Sequence, residues 1–170
     1  MHKSQIIFKP LREGDITLLA QWFKQPHIAQ WWPTESTLDN QSLHNKYLKK
    51  ITSDGQAFIV YLGDRPIGYI QCYLADKEFD HETWGIDQFI GEADYLGKGY
   101  GTQMVKDFIA LLFKKPNIKR VIVDPDPKNV RALRCYEKAG FRKIGLRQMP
   151  DGIVELMEIV KELQKSNTHQ

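Results

Sequence analysis

The chain has 170 residues, 42% of them hydrophobic and 26% charged, and its 24 Lys and Arg against 21 Asp and Glu leave a net charge of +3. That length buries a full core in one domain over residues 1–170, with 161–170 as a polar tail. The charge is too mild and scattered for a nucleic-acid surface, no apolar run approaches the ~20 residues of a membrane span, and Met1-His2-Lys3-Ser4 opens no signal-like segment. Neither nucleic acid nor membrane is an expected partner, and the expected compartment is the cytoplasm.

Taken in order, residues 5–9 read as a first strand ended by Pro10, and Asp15 is placed to cap a helix over 16–23 with Leu18, Leu19, Trp22 and Phe23 on one face. Pro26 stops that helix. Trp31 and Trp32 then stand side by side, and adjacent residues cannot share a face, so at least one is expected at a surface or groove. Thr37 is placed to cap a helix from Leu38 to about Ile51. Residues 56–62 and 67–74 read as strands of a hairpin around Gly63-Asp64-Arg65-Pro66. An acidic, irregular piece from Asp76 to Glu82 follows.

Residues 84–92 alternate apolar and polar side chains and form a central strand bearing one carboxylate, Asp87. Gly97, Gly99 and Gly101 come next, immediately before a helical apolar stripe of Met104, Val105, Phe108, Ile109 and Leu112. Such glycines let backbone N–H groups converge on an anion at the positive end of a helix, or simply make a tight turn with no ligand. Spacing excludes two better-known loops. Lys98 is followed by Gly99 rather than Ser or Thr, against a Walker loop, and Thr102 stands where a dinucleotide fingerprint needs its third Gly.

Residues 120–123 form a short β-branched strand, so the strand–helix–strand unit predicts a parallel pair within an otherwise mostly antiparallel sheet, with any ligand beyond the carboxyl ends of that pair. Asp124-Pro125-Asp126 sits at that end. A helix over 129–139 presents Asn129, Ala132, Leu133 and Tyr136 on one face, and a last hairpin joins 141–149 to 153–160. Cys72 and Cys135, with no Cys-x-x-Cys and no His pair at ligand spacing, read as small apolar residues, and no metal is expected.

The element order, the turn Leu96-Gly97-Lys98-Gly99-Tyr100-Gly101 and the run from Asn129 through Gly140-Phe141 resemble the GCN5-related N-acetyltransferase (GNAT) superfamily over nearly the whole chain. Where that superfamily usually opens its pyrophosphate turn with Gln or Arg, this chain has Leu96, a small change because the turn binds chiefly through backbone N–H groups. More narrowly, His27 through Trp32, Pro66-Ile67-Gly68-Tyr69, Gly85-Ile86-Asp87-Gln88 and Asp124-Pro125 with Asn129 look like the aminoglycoside 6′-N-acetyltransferases. The resemblance implies an α+β fold: a mixed, mostly antiparallel sheet with a central parallel pair, flanked by helices. It implies acetyl-CoA as co-substrate, held by Phe89, Ile90, Gly97, Lys98, Gly99, Tyr100, Gly101, Thr102, Asn129, Ala132 and Tyr136.

An amine attacking a thioester must first lose a proton, and the departing thiolate benefits from gaining one. Asp87 suits the first role and Tyr136, where the family has its general-acid tyrosine, the second. As bare residues they fit a structural ion pair and a packed aromatic equally. A polycationic aminoglycoside calls for acidic and aromatic lining, for which Trp31, Trp32, Tyr73, Glu82, Asp87, Asp124 and Asp126 are the candidates. Asp124 also fits plain turn capping. The expected function is acetyl transfer from acetyl-CoA to the 6′-amine of an aminoglycoside antibiotic, conferring resistance. The alternatives are the same chemistry on a siderophore precursor or other small amine, and a non-catalytic acyl-CoA-binding module.

Overall fold

The computed structural model describes residues 5–49, 51 and 55–162. Its centre is a seven-stranded sheet of β1 (Ile6–Pro10), β2 (Gly55–Leu62), β3 (Arg65–Leu74), β4 (Thr83–Ile90), β5 (Arg120–Val123), β6 (Arg142–Met149) and β7 (Gly152–Val160). The spatial order is β1-β2-β3-β4-β5-β7-β6. All neighbours are antiparallel except β4 and β5, the parallel pair that the crossover predicts.

Helices α1 (Ile16–Phe23), α2 (Pro26–Ala29) and α3 (Asn40–Leu48) precede β2, whereas α4 (Tyr100–Phe113) and α5 (Val130–Ala139) flank β5 in sequence. Each set has its own core. Met104, Phe108 and Tyr136 pack with Ile86, Ile90 and Val121 on one face of the sheet. On the other, Leu19, Phe23 and Tyr47 pack with Ile59, Tyr69 and Phe89. Strand alternation sends neighbouring β4 residues into different cores, so Asp87, two residues before Phe89, faces the α1–α3 side while Ile86 faces α4 and α5.

Several local expectations are corrected. Pro10 ends β1 from within, as its last residue paired with Phe58, which an edge strand allows because that residue needs no N–H. Asp15 caps no helix with its side chain; its carboxylate accepts the Arg12 N–H at 2.8 Å, closing a short 3₁₀ turn that leads into α1. Helix α1 stops at Phe23, short of Pro26 as expected, but Pro26 then begins α2 at its first position, where a missing N–H costs nothing. Helix α3 starts later than expected, and Asp39 rather than Thr37 caps it, accepting from the Ser42 N–H at 2.8 Å. The Thr37 hydroxyl is used instead on the Thr34 carbonyl. The expected helix extended through Lys50, which lies outside the described residues, as do 163–170 of the polar tail.

Asp39→Ala should therefore lower the melting temperature by roughly 2–4 °C, the usual effect of losing one cap in a chain of this size. Thr37→Ala should lower it less. Thermal melts of the two variants check the assignment, and a larger drop for Thr37→Ala would overturn it.

Candidate active site

The parallel pairing of β4 with β5 covers only Thr83, Trp84 and Gly85 against Arg120, Val121 and Ile122. Beyond Gly85, β4 continues to Ile90 against β3 alone, while β5 ends at Val123. A notch opens between the two strands, and the backbone groups of residues 86–90 on that edge have no described strand beside them. The notch joins the two faces of the sheet.

On the α1–α3 side of the notch stands Asp87. Its cross-strand partner Gln71 donates Nε2–H to Asp87 Oδ2 at 2.8 Å, and Tyr69 donates its hydroxyl to Gln71 Oε1 at 2.6 Å. Tyr73 is also hydrogen-bonded to Asp87. Gly85, opposite Tyr73 across the strands, makes room for that ring: a Cβ there would lie 2.5 Å from it. Burial and the charge of Asp87 push both the Tyr69 and Tyr73 hydroxyls above their ordinary range, so both stay protonated and serve as donors. Gln71, Tyr73 and Asp87 line a cavity of about 290 Å³ together with Tyr47 and Gln56.

On the opposite side, α5 buries Tyr136 against Phe141, with ring centroids 5.4 Å apart, and a hydrogen bond joins its hydroxyl to Gln88. Burial first, then the charge of Asp87, raises the Tyr136 hydroxyl, which therefore keeps its proton at neutral pH. Beside it lies the start of α4, with Gly99 as its N-cap residue. Gly97 (φ 72°) and Gly99 (φ 86°) both take the left-handed conformation that favours glycine, and a Cβ on either would meet nothing within 4 Å. No side chain caps the first turn of α4, which leaves its N–H groups available to a ligand. Positive dipole, glycine backbone and clearance together fit an anionic pyrophosphate.

Asp124 follows β5 at the mouth of the notch. Part of it is open to solvent, yet the protein packed around its carboxyl, and next the nearby charge of Asp87, push it up to about 6. Two carboxylates sharing a site resist ionising together, and a cation between them relieves both.

The other expected site residues divide. Asn129 caps α5, accepting the Ala132 N–H at 3.2 Å, and Asp126 accepts the Lys128 N–H at 2.8 Å, so each side chain has turn work beside the notch. Thr102 bonds Cys135, and Tyr100 packs on Tyr95 at 5.4 Å. The Phe89 and Ile90 side chains are buried, leaving their backbone as what they can offer a ligand. Lys98 is exposed on the glycine turn. Trp32 packs against Phe23 and Phe89, and neither it nor the half-exposed Trp31 lines the cavity. Glu82 is not brought to the cluster: it precedes β4 at the far end of the parallel pair and bonds Lys119 at 3.2 Å. Sequence reasoning missed Gln71, Gln88 and Tyr47, although the strand pattern alone puts Gln71 and Asp87 on one face once the register is known.

The chain matches the acetyltransferase (GNAT) domain family over residues 12–149 and belongs to it. Aminoglycoside 6′-N-acetyltransferases are among its neighbours in both sequence and structure. Aminoglycoside N(6′)-acetyltransferase type 1 of Klebsiella pneumoniae is 35% identical over 158 residues, 86% of this chain and 79% of the relative. The crystal structure of aminoglycoside acetyltransferase AAC(6′)-Ib with coenzyme A and kanamycin superposes with a TM-score of 0.85 at 34% identity, covering 92% of this chain and 95% of that one. Its complex with ribostamycin and coenzyme A gives 0.88 at 32% identity, covering 98% and 99%. The fold is the acetyltransferase fold expected from the sequence.

If Asp124 holds an ammonium, it must do so ionised. A cationic acceptor should then bind progressively less well as pH falls through about 6 and should reach a plateau above it. In Asp124→Asn that inflection should vanish. Acceptor KM measured across pH 5–8 for both proteins checks this, and an identical inflection in the variant would assign it elsewhere.

Proposed function

We propose that this protein transfers the acetyl group of acetyl-CoA to the 6′-amine of an aminoglycoside, and so confers resistance to it. The observation that carries the reading is the notch, with a protonated phenol on one side and a carboxylate on the other, between a glycine-opened helix start and an acidic cavity. In this reading the pyrophosphate lies on the first turn of α4, held by N–H groups from Gly97 to Thr102. The edge of β4 beyond Gly85, past the end of its pairing with β5, holds the pantetheine arm, and a backbone N–H near Phe89 and Ile90 polarises the thioester carbonyl. The thioester supplies the activated acetyl group.

The acceptor amine arrives as an ammonium, since alkyl amines titrate near ~10. Asp87 attracts it and takes its proton, while Gln71 and Tyr73 fix the carboxylate that receives it. Tyr136 gives its proton to the departing sulfur. Tyr69 supports this from behind by orienting the Gln71 amide, which makes Gln71 a donor rather than an acceptor toward Asp87. Remaining ammonium groups of the acceptor are held by Asp124 and by the cavity's tyrosine rings.

No group of three or more His, Cys, Asp or Glu able to hold a metal is found among the described residues, and no described helix is long and apolar enough to cross a membrane. The reading places the protein in the cytoplasm with its thioester co-substrate.

Thiol release from acetyl-CoA, measured across aminoglycosides, small polyamines and hydroxylysine derivatives, tests the proposal. Release only with the last two would replace the aminoglycoside, and coenzyme A binding without release would leave a binding module. Asp87→Asn should reduce kcat/KM for the acceptor about 10²- to 10⁴-fold with acetyl-CoA affinity nearly intact. Retention of near wild-type kcat would point to attack by an already neutral amine. Tyr136→Phe should lower kcat over a similar range while leaving acetyl-CoA binding within a few-fold. An unchanged kcat, with chemistry rate-limiting, would reduce Tyr136 to packing.

A further inference from the structure

The face of β5, β7 and β6 that carries Ile122, Leu156 and Arg147 is roofed by residues 75–82, the connection from β3 to β4. Phe79 from that connection lies between two guanidinium groups, Arg120 at 5.4 Å and Arg147 at 5.7 Å from its ring. The neighbouring Glu78 pairs with Arg147. Under this roof is a chamber of about 60 Å³, and Arg147 shares its wall with Asp76, Asp124 and Tyr73. Tyr73 also lines the cavity that leads to Asp87, so the chamber adjoins the acceptor site.

We propose that Arg147 is a specificity-determining residue: its guanidinium is a built-in cation in the chamber, so an acceptor group reaching there is preferred as a hydroxyl and disfavoured as a second amine. This rests on the aminoglycoside reading above. Two carboxylates lining one space, Asp76 and Asp124, would by themselves attract an ammonium. Arg147 already supplies that charge, cannot be deprotonated, and is tethered by Glu78 and by the face of Phe79. A hydroxyl can accept from Arg147 and donate to Asp76, which leaves Asp124 to the ammonium on the Asp87 side of the notch. An ammonium can only donate, and it meets a like charge.

The test compares two acceptors that carry the same reacting amine and differ at one remote position, hydroxyl in one and amine in the other. The readout is the ratio of their kcat/KM values, amine-bearing over hydroxyl-bearing, in wild type, Arg147→Met and Arg147→Lys. A ratio is unaffected by the fraction of variant that folds, and a merely structural loosening of residues 75–82 would lower both values together. The expected result is a ratio about tenfold higher in Arg147→Met, as for removal of one partly screened like-charge contact, and near wild type in Arg147→Lys. An unchanged ratio in Arg147→Met, or a Lys variant shifted as far as the Met variant, would overturn the proposal. Failure of the wild type to acetylate either compound would overturn the aminoglycoside reading and this inference with it.

Discussion

Parallel pairing between β4 and β5 lasts only from Thr83 to Gly85 against Arg120 to Ile122, and the site exists because it stops there. The separation is not fraying. Seven residues of β4 from Trp84 to Ile90 are matched to β3, and all four of β5 to β7, so each strand is held in its own half of the sheet where the two part. A strand edge with no strand beside it is a ready template for an extended ligand. Here it faces a gap through the sheet. Groups from opposite faces, Asp87 and Tyr136, can thus act on one bond, which an unbroken sheet would forbid because it would stand between them.

That gap also sets the electrostatics. Asp87 is the charge that its neighbours register: it contributes to raising Asp124, Tyr73, Tyr69 and Tyr136. The consequence for the phenols is that they remain donors, and for Asp124 that it gains most from a bound cation. Gln71 stands at the junction of this arrangement, receiving Tyr69 and donating to Asp87. Tyr69 in turn stacks on Phe89, with ring centroids 5.4 Å apart, and meets Tyr47 edge-on at 5.8 Å. The orientation of the carboxylate is therefore set by an aromatic core rather than by a mobile loop, and aromatic pairs of this kind contribute about 0.5–1.5 kcal/mol each beyond their burial.

Much of this was legible in the sequence because it follows from local rules. The parallel pair came from a strand–helix–strand order, the anion-ready turn from Gly97 and Gly99, and the placement of Asp87 from alternation. What was not legible depends on register and competition. Thr37 and Asp39 are both fair caps, and only the packing of α3 chose between them. Glu82 looked like acidic lining because it is close to Asp87 in sequence, but on a strand five residues span about 17 Å, enough to carry it to the other end of the pair. Gln71 carried no sequence signal of its own; it becomes informative only when β3 is laid against β4. Both paired tryptophans keep partial exposure, as expected of at least one, yet Trp32 went to the aromatic core and not to the cavity wall.

The second half of the sheet must hold its position for the notch to keep its width, and a buried carboxylate helps to hold it. Glu158 on β7, 6% exposed, receives Arg120 from β5 at 2.6 Å and Arg142 from β6 at 2.6 Å. Burial alone would raise its carboxyl, but the two guanidinium groups outweigh that and hold it below the usual range. Such an ion pair adds little net stability over apolar packing, whereas losing one partner strands a buried charge. Its value here is positional. Glu158 bonds to the strands on both sides of it and so ties β5, β7 and β6 across their hydrogen-bonding direction. Arg120, fixed by this bond, then presents its guanidinium to Phe79 and seats the connection that roofs the chamber next to Asp124. One carboxylate on β7 thus links the strand that forms one wall of the notch to the segment that borders the acceptor site.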